Sequence, residues 1–491
     1  MGQTILSIDQ GTTSTRAILF TPDGKILDIK QKELPQLYPH KGWVEQDPMQ
    51  ILKDTVSCLQ DLAADNAREI ENCIGIGITN QRETTVVWDR ETGKPVYNAI
   101  VWQDRRTTDF CRELKDQGQE LMVRENTGLL LDPYFSSTKV NWILQNVKNA
   151  YEKAEYEELA FGTIDSWLIW NLTGGNHVTC ATNAARTMLF NIRTQDWDKE
   201  MLNLFDIPKE MLPEVLDNAA DFGTLQKDII GKELPIAGVA GDQHAAVIGQ
   251  ACFSKGMVKS TYGTGCFALV NTGDKFHLSE NKLLTTPAYR LNGKTVYALE
   301  GSIFIAGAAI QWLRDNLRLF NEATETEDLA KSVSDNNGVY FVPALTGLGA
   351  PHWRPDVQGA IFGLTRESSF AHIARAALEA QAYQSHDLFA AMKADLESEI
   401  DVIRADGGLV ANDFMCQFLS DILNVPVEIP QVAETTALGA AYLAGLQAGL
   451  YQGLDDITDN WEKERDYKPQ MKNPERSGLL EGWHDAIRKL L

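Results

Sequence analysis

Short apolar runs broken by glycine, hydroxyl and acidic residues recur along this chain. Longer stretches, in which apolar residues return every three or four positions, lie between them. Ile5-Leu6-Ser7-Ile8 and Ala17-Ile18-Leu19-Phe20 predict strands over residues 4–8 and 16–20. Cys73-Ile74-Gly75-Ile76-Gly77-Ile78-Thr79 and Thr85-Val86-Val87-Trp88 predict two more. Residues 48–65, 104–117 and 413–423 carry the helical period, and 197–215 reads as helix and turn punctuated by Pro208 and Pro213. The alternation predicts an α/β fold with mixed sheets.

Three of the breaks share a chemistry. Asp9-Gln10-Gly11-Thr12-Thr13-Ser14-Thr15-Arg16 places an acid, a glycine, hydroxyls and an arginine between two strands, a composition suited to holding a phosphate; an ordinary polar hairpin is the competing reading. Gly241-Asp242-Gln243-His244 again leaves an apolar run through an Asp-Gln pair, and Lys259-Ser260-Thr261-Tyr262-Gly263-Thr264-Gly265 follows it, so the chain reads as two related halves. Asp406-Gly407-Gly408-Leu409-Val410-Ala411-Asn412 is a third glycine-rich turn, where backbone can approach a flat ligand such as adenine with the Asn412 amide nearby.

Composition narrows the function. The chain of 491 residues exceeds one ordinary core, so at least two domains are expected. A boundary near residue 250 divides it into 1–250 and 251–491, with a ligand cleft between them. A net charge of −23 argues against nonspecific nucleic-acid or anionic-lipid binding. No apolar run approaches the roughly 20 residues needed to span a bilayer, and the N-terminus lacks the pattern of a signal peptide. Seven scattered cysteines without a CxxC pair suggest reduced, buried thiols, so a soluble cytoplasmic protein is expected. The eight histidines, equally scattered, offer no metal-ligand cluster along the sequence.

The three turns, in this order, resemble the sugar kinase, actin and Hsp70 group of ATPases, in which two similar ribonuclease H-like α/β domains close over a nucleotide. Asn80-Gln81-Arg82-Glu83-Thr84-Thr85, the run Tyr134 to Asn146, and Gly359-Ala360-Ile361-Phe362-Gly363-Leu364-Thr365 with its helix to Glu379 are similar to the FGGY carbohydrate kinases. The combination of Arg82-Glu83, Tyr134 and Gly241-Asp242-Gln243 resembles the members that phosphorylate glycerol. The resemblance implies an ATP- and Mg²⁺-dependent transfer to glycerol, with substrate and phosphate held by the first domain and adenosine by the second. It also implies a homodimer or homotetramer.

Phosphoryl transfer needs donors around the moving group and a metal to neutralise its charge. Thr12, Thr13, Ser14 and Arg16 would supply donors in the first hairpin, Thr264 in the second, and Asp9 would hold Mg²⁺ through water. Asp9 also reads as a turn cap. The resemblance makes Asp242 the general base, although Asp there also suits a helix N-cap. Arg82, Glu83, Tyr134, Asp242 and Gln243 would bind the hydroxyls of glycerol, and Trp102 and Phe267 would wall its carbon face. Taken singly, Arg82-Glu83 reads as a solvated charge pair and the two aromatics as core. Gly307, Ile310 and Gln311 share a helical face at i, i+3 and i+4 and, with Gly408 and Asn412, match positions that line the adenosine pocket. Another polyol or ketose as acceptor, and an actin-like ATPase without a polyol substrate, are the alternatives. The segment Gly223 to Leu234 lacks the Gly-Gly-Thr-Arg loop of relatives controlled by fructose 1,6-bisphosphate. Asp228 stands where others carry a phosphorylatable histidine, so neither control is expected.

Overall fold

Strand β1 (Thr4–Gln10) is buried at every position, as a strand must be when neighbours flank both edges and cover lies over both faces. In the computed structural model, which describes residues 2–354, 356–396 and 399–491, β2 (Ser14–Phe20) and β3 (Ile26–Glu33) extend from one edge of β1 as an antiparallel meander. On the other edge β4 (Cys73–Asn80) runs parallel. With β5 (Thr224–Leu225) and β6 (Leu234–Gly241) the sheet reads β5-β6-β4-β1-β2-β3.

A second sheet repeats the plan. Its strands are β7 (Met257–Tyr262), β8 (Cys266–Gly273), β9 (Leu284–Leu291), β10 (Lys294–Ile303), β11 (Val402–Asp406), β12 (Val427–Pro430) and β13 (Lys463–Tyr467), in the order β9-β10-β8-β7-β11-β12-β13. Here too an antiparallel hairpin, β7–β8, is followed by two parallel partners, β11 and β12. The repeat corrects one reading of the sequence. Asp9-Gln10 ends the first strand of its sheet, whereas Asp242-Gln243 opens a helix after a parallel strand, so the two Asp-Gln pairs are not equivalent; the β1–β2 and β7–β8 hairpins are.

The helices that bear on the site are α1 (Pro48–Asp65), α2 (Ser136–Asn146), α3 (Ala181–Ala184), α4 (Asp242–Gly249), α5 (Gly307–Asp315), α6 (Phe370–Leu396), α7 (Asp413–Leu423), α8 (Thr435–Gln447) and α9 (Asn473–Leu490), with others between. Local signals explain α1: Asp47 accepts from the Met49 N–H at 2.8 Å, Pro48 takes the first turn, and Ile51, Cys58, Leu59 and Leu62 form its buried stripe. The helix expected over 104–117 begins only at Thr108, because the Asp104 carboxylate is drawn to the Val44 and Arg106 N–H groups. The α6 helix continues well beyond Glu379, to Leu396.

Helices α4 and α8 follow the last parallel strand of their respective sheets and cross each other. A Cβ on Gly439 would stand 1.8 Å from the Ala245 carbonyl oxygen and one on Gly249 1.9 Å from that of Thr435, so only glycine permits this backbone approach. Although α8 belongs to the C-terminal half of the chain, it packs on β1, β4 and β6 of the first sheet. All seven cysteines are free and buried. The histidines depart from expectation: His352, His386 and His484, remote in sequence, gather around Asp387. Among the described residues no helix is long and apolar enough to cross a membrane.

Candidate active site

The first hairpin is shaped from beneath by amides. Gln81 Nε2 donates to Gln46 Oε1 at 2.8 Å and to the Gly11 carbonyl at 3.3 Å, and Gln46 Nε2 donates to the Thr12 carbonyl at 2.7 Å. With these carbonyls held inward, Thr12 and Ser14 are left half-buried and Thr13 exposed. Arg16 leaves β2 to pair with Asp9 and, across the two halves of the chain, with Glu434 at 2.5 Å. Burial raises the Asp9 carboxyl above its ordinary range; Arg16 opposes this, while Glu434 and Asp242 reinforce it.

Opposite lies the equivalent turn of β7–β8. Thr264 is exposed at its tip, and its carbonyl accepts from the N–H groups of Ala306 and Ala308 at 2.9 and 3.1 Å. Gly307 opens α5 directly on this turn, where an added Cβ would meet the Gly263 carbonyl at 2.7 Å. Ile310 is buried in the second core, and Gln311 is exposed beside it on the helix. At the third turn, Gly407 holds φ +94° with the Tyr262 carbonyl 2.5 Å from a would-be Cβ, whereas Gly408 faces open space. Asn412 is the N-cap of α7: its Oδ1 accepts from Met415 N–H at 2.9 Å and its Nδ2 donates to Thr326 at 3.3 Å, so both ends of the amide are already engaged.

Between the hairpins sits a buried ion network. Arg82 reaches Glu300 on β10 through two hydrogen bonds of 2.6 and 2.8 Å. Arg186, just beyond α3, donates to both Glu300 oxygens at 3.2 Å and to Glu83 Oε1 at 2.6 Å. Two guanidinium and two carboxylate groups, all buried, thus balance each other. Burial would raise the Glu300 carboxyl, but Arg186 and Arg82 hold it well below the ordinary range. Glu83 takes φ +62°, the left-handed region that is uncommon for a non-glycine residue. The neighbouring Asn80 exchanges a reciprocal pair of amide hydrogen bonds with Asn183 at 2.9 and 3.1 Å, which fixes this turn.

Arg82 Nε lies 3.1 Å from Asp242 Oδ1, and the Gln243 N–H donates to the same oxygen at 2.6 Å. Both known partners therefore use Oδ1. Gly241, not Asp242, is the N-cap of α4, and a Cβ there would meet Arg82 Cγ at 2.7 Å. The Gln243 side chain accepts from the buried Lys259 ammonium, which burial pushes toward neutrality. Trp102, Tyr134 and Phe267 form an edge-to-face wall with centroids 5.6 Å (Trp102–Tyr134) and 6.4 Å (Trp102–Phe267) apart, and Trp102 Nε1 donates to Thr12 at 3.0 Å. Burial keeps the Tyr134 phenol protonated, a donor.

The arrangement brings Arg82, Glu83, Tyr134, Trp102, Phe267, Asp242 and Gln243 together, and disposes Asp9, Arg16 and the two hairpin tips around them. Sequence reading missed Glu300, Arg186, Lys259, Gln46 and Asp406, which accepts from Gln250, Thr261 and Thr435. One signal was present: Glu300 is a lone acid directly after the apolar Tyr297-Ala298-Leu299.

Twin sheets of this connectivity, each offering a hydroxyl-bearing hairpin to a carboxylate-lined cleft, define a two-domain, actin-like phosphotransferase. The N-terminal domain profile of the FGGY family of carbohydrate kinases matches residues 4–249, and the C-terminal domain profile matches 258–448. The chain belongs to that family. It is 59% identical over 488 residues to a glycerol kinase of Nitrosomonas eutropha (99% of this chain, 98% of the relative) and 58% identical over 488 residues to one of Alcanivorax borkumensis, with the same coverage. Among solved structures, Plasmodium falciparum glycerol kinase with ADP superposes with a TM-score of 0.95 at 37% identity, covering 100% of this chain and 98% of that one.

Proposed function

We propose that this chain transfers the γ-phosphoryl group of ATP to a terminal hydroxyl of glycerol, giving sn-glycerol 3-phosphate. The observation that carries the reading is the joint placement of a charge-balanced Arg82–Glu83–Glu300–Arg186 network, an aromatic wall and a partly exposed carboxylate, Asp242. A three-carbon triol offers hydroxyls to such polar groups and a carbon face to such a wall. Asp242 Oδ1 is held by Arg82 and the Gln243 amide, so Oδ2 is the oxygen that takes the acceptor proton as the hydroxyl attacks. Glu83, Arg82, Tyr134 and Gln243 orient the hydroxyls, with Trp102 and Phe267 against the carbons. Thr12, Thr13, Ser14, Arg16 and Thr264 donate to the phosphates. Gly307, Ile310, Gln311, Gly408 and Asn412 lie about the nucleoside, Asn412 acting chiefly by fixing the start of α7.

A divalent cation fits this charge distribution, since Asp9, Glu434 and Asp242 outnumber Arg16 on their side of the cleft. Asp9 would hold Mg²⁺ through water, and the ion would neutralise charge on the phosphates. The domain division proposed is 1–250 and 251–491, the assembly a homodimer or homotetramer, and the compartment the cytoplasm, in keeping with seven free thiols. The test is coupled ADP release with Mg-ATP across glycerol, dihydroxyacetone, erythritol, xylulose and no acceptor, with the product identified by mass. Strong stimulation by glycerol with glycerol 3-phosphate formed is expected. A different preferred polyol would overturn the acceptor, and hydrolysis indifferent to acceptor would overturn the kinase reading.

A further inference from the structure

The cluster around Asp387 takes no part in the cleft chemistry and is built differently from a surface ion pair. His484 Nε2 lies 3.0 Å and His386 Nδ1 3.6 Å from Asp387 Oδ1, and His352 Nε2 lies 3.5 Å from Oδ2. Trp483 Nε1 donates to Oδ2 at 2.8 Å, fixing the carboxylate plane. The facing atoms of His386, Asp387 and His484 all fall within 4.8 Å of one another. Two of the imidazole nitrogens, His352 Nε2 and His386 Nδ1, are buried without a hydrogen-bond partner. Both face the Asp387 carboxylate at distances too long for a good hydrogen bond, an uncommon arrangement for buried polar atoms.

These facts share one economical explanation. Around an ion with bonds of about 2.0 Å, neighbouring donors of a tetrahedron stand about 3.3 Å apart, and the separations of His484 and His386 from the shared Asp387 Oδ1, 3.0 and 3.6 Å, bracket that value. The set is rich in imidazole with a single carboxylate, which favours zinc-like ions over Mg²⁺ or Ca²⁺. The carboxylate itself is anchored by an indole N–H, the kind of outer support metal ligands receive. We propose that His386, Asp387 and His484 bind a divalent transition-metal ion of the zinc type, with water completing its coordination. Such an ion would tie α6 to α9, clamping parts of the chain that are distant in sequence. Its role is structural, separate from the Mg²⁺ used in phosphoryl transfer.

The experiment uses full-length protein stripped with chelator, then titrated with Zn²⁺ by calorimetry and with Co²⁺ by visible absorption, both in millimolar Mg²⁺. One equivalent should bind, four-coordinate Co²⁺ bands should appear, and the unfolding temperature should rise with Zn²⁺. His386→Gln and His484→Gln should each lower affinity roughly 10²-fold or more and abolish the thermal shift, while turnover with Mg-ATP stays at the parent level. His484, the more exposed ligand, provides the variant if His386→Gln does not fold. Absence of stoichiometric binding by the parent protein would overturn the site. So would undiminished binding by the His386→Gln/His484→Gln double variant, which would place the metal elsewhere.

Discussion

Glu300→Gln tests whether the buried network holds the site together. The parent carboxylate receives four charge-assisted hydrogen bonds, at 2.6 and 2.8 Å from Arg82 and at 3.2 Å twice from Arg186. A glutamine keeps one accepting oxygen and turns its NH₂ toward guanidinium donors, so about half of these bonds fail and one unit of positive charge is left uncompensated. At roughly 1.5–3 kcal/mol for each such bond, the loss of two is about 3–6 kcal/mol, comparable to the roughly 3–5 kcal/mol measured when one partner of a buried pair is removed. Arg82 should also swing toward Asp242, already 3.1 Å from its Nε against 3.8 Å for Glu83, and lower kcat/KM for glycerol by roughly 10²-fold. Urea unfolding at several pH values gives the stability and the coupled assay gives the kinetics. Because the folded protein holds Glu300 below its ordinary value of 4.5, the deficit of the variant should be complete above pH 4.5 and narrow only as the pH falls further. Adding Arg186→Met, which restores neutrality, should recover part of the stability. An unfolding free energy within about 1 kcal/mol of the parent, with unchanged kcat/KM, would refute the reasoning.

Three further outcomes are expected. Asp242→Asn should leave glycerol and ATP binding nearly intact while lowering turnover roughly 10²-fold or more, read by calorimetry beside steady-state rates; an unchanged kcat would remove Asp242 from the mechanism. Gly407→Ala combines a left-handed φ of +94° with a clash at 2.5 Å, so it should cost more than about 1 kcal/mol of stability and raise KM for ATP more than for glycerol. His177 is held at about 4 by burial, despite its contact with the Phe161 carbonyl. Its contribution should therefore be complete above the unfolded value of 6.5 and be lost as the pH falls from there toward 4, by up to about 3 kcal/mol; a flat stability profile across that window would contradict this.

What the sequence displayed plainly was local. The hydroxyl-bearing turn between β1 and β2, the Asp47-Pro48 start of α1 and the bounds of α7 follow from neighbouring residues, and the structure has them. The architecture followed from the resemblance together with the alternation of strands and helices. What could not be read was pairing at a distance: Arg82 meets a glutamate 218 positions away, and Glu83 an arginine 103 positions away. A charged residue inside an apolar run announces that it has a buried partner without naming it. The same holds for His352, His386 and His484, scattered in sequence and adjacent in space. Asn412 shows the opposite failure: the helix cap that its residue type favours takes its Oδ1 and Thr326 engages its Nδ2, so proximity to the expected ligand region overstated its freedom.

The placement of α8 has a consequence for how the chain matures. The sheet built from the first half leaves the ribosome long before the helix that covers β1, β4 and β6. At 5–20 residues per second the interval is roughly 10–40 s. Through that time a largely apolar face stands open in the nascent protein, within reach of chaperones and of other unfinished copies. A product truncated ahead of Thr435 would keep that face uncovered for good, whatever its own strands had achieved. The chain therefore matures as one unit, closed by a helix from its second half.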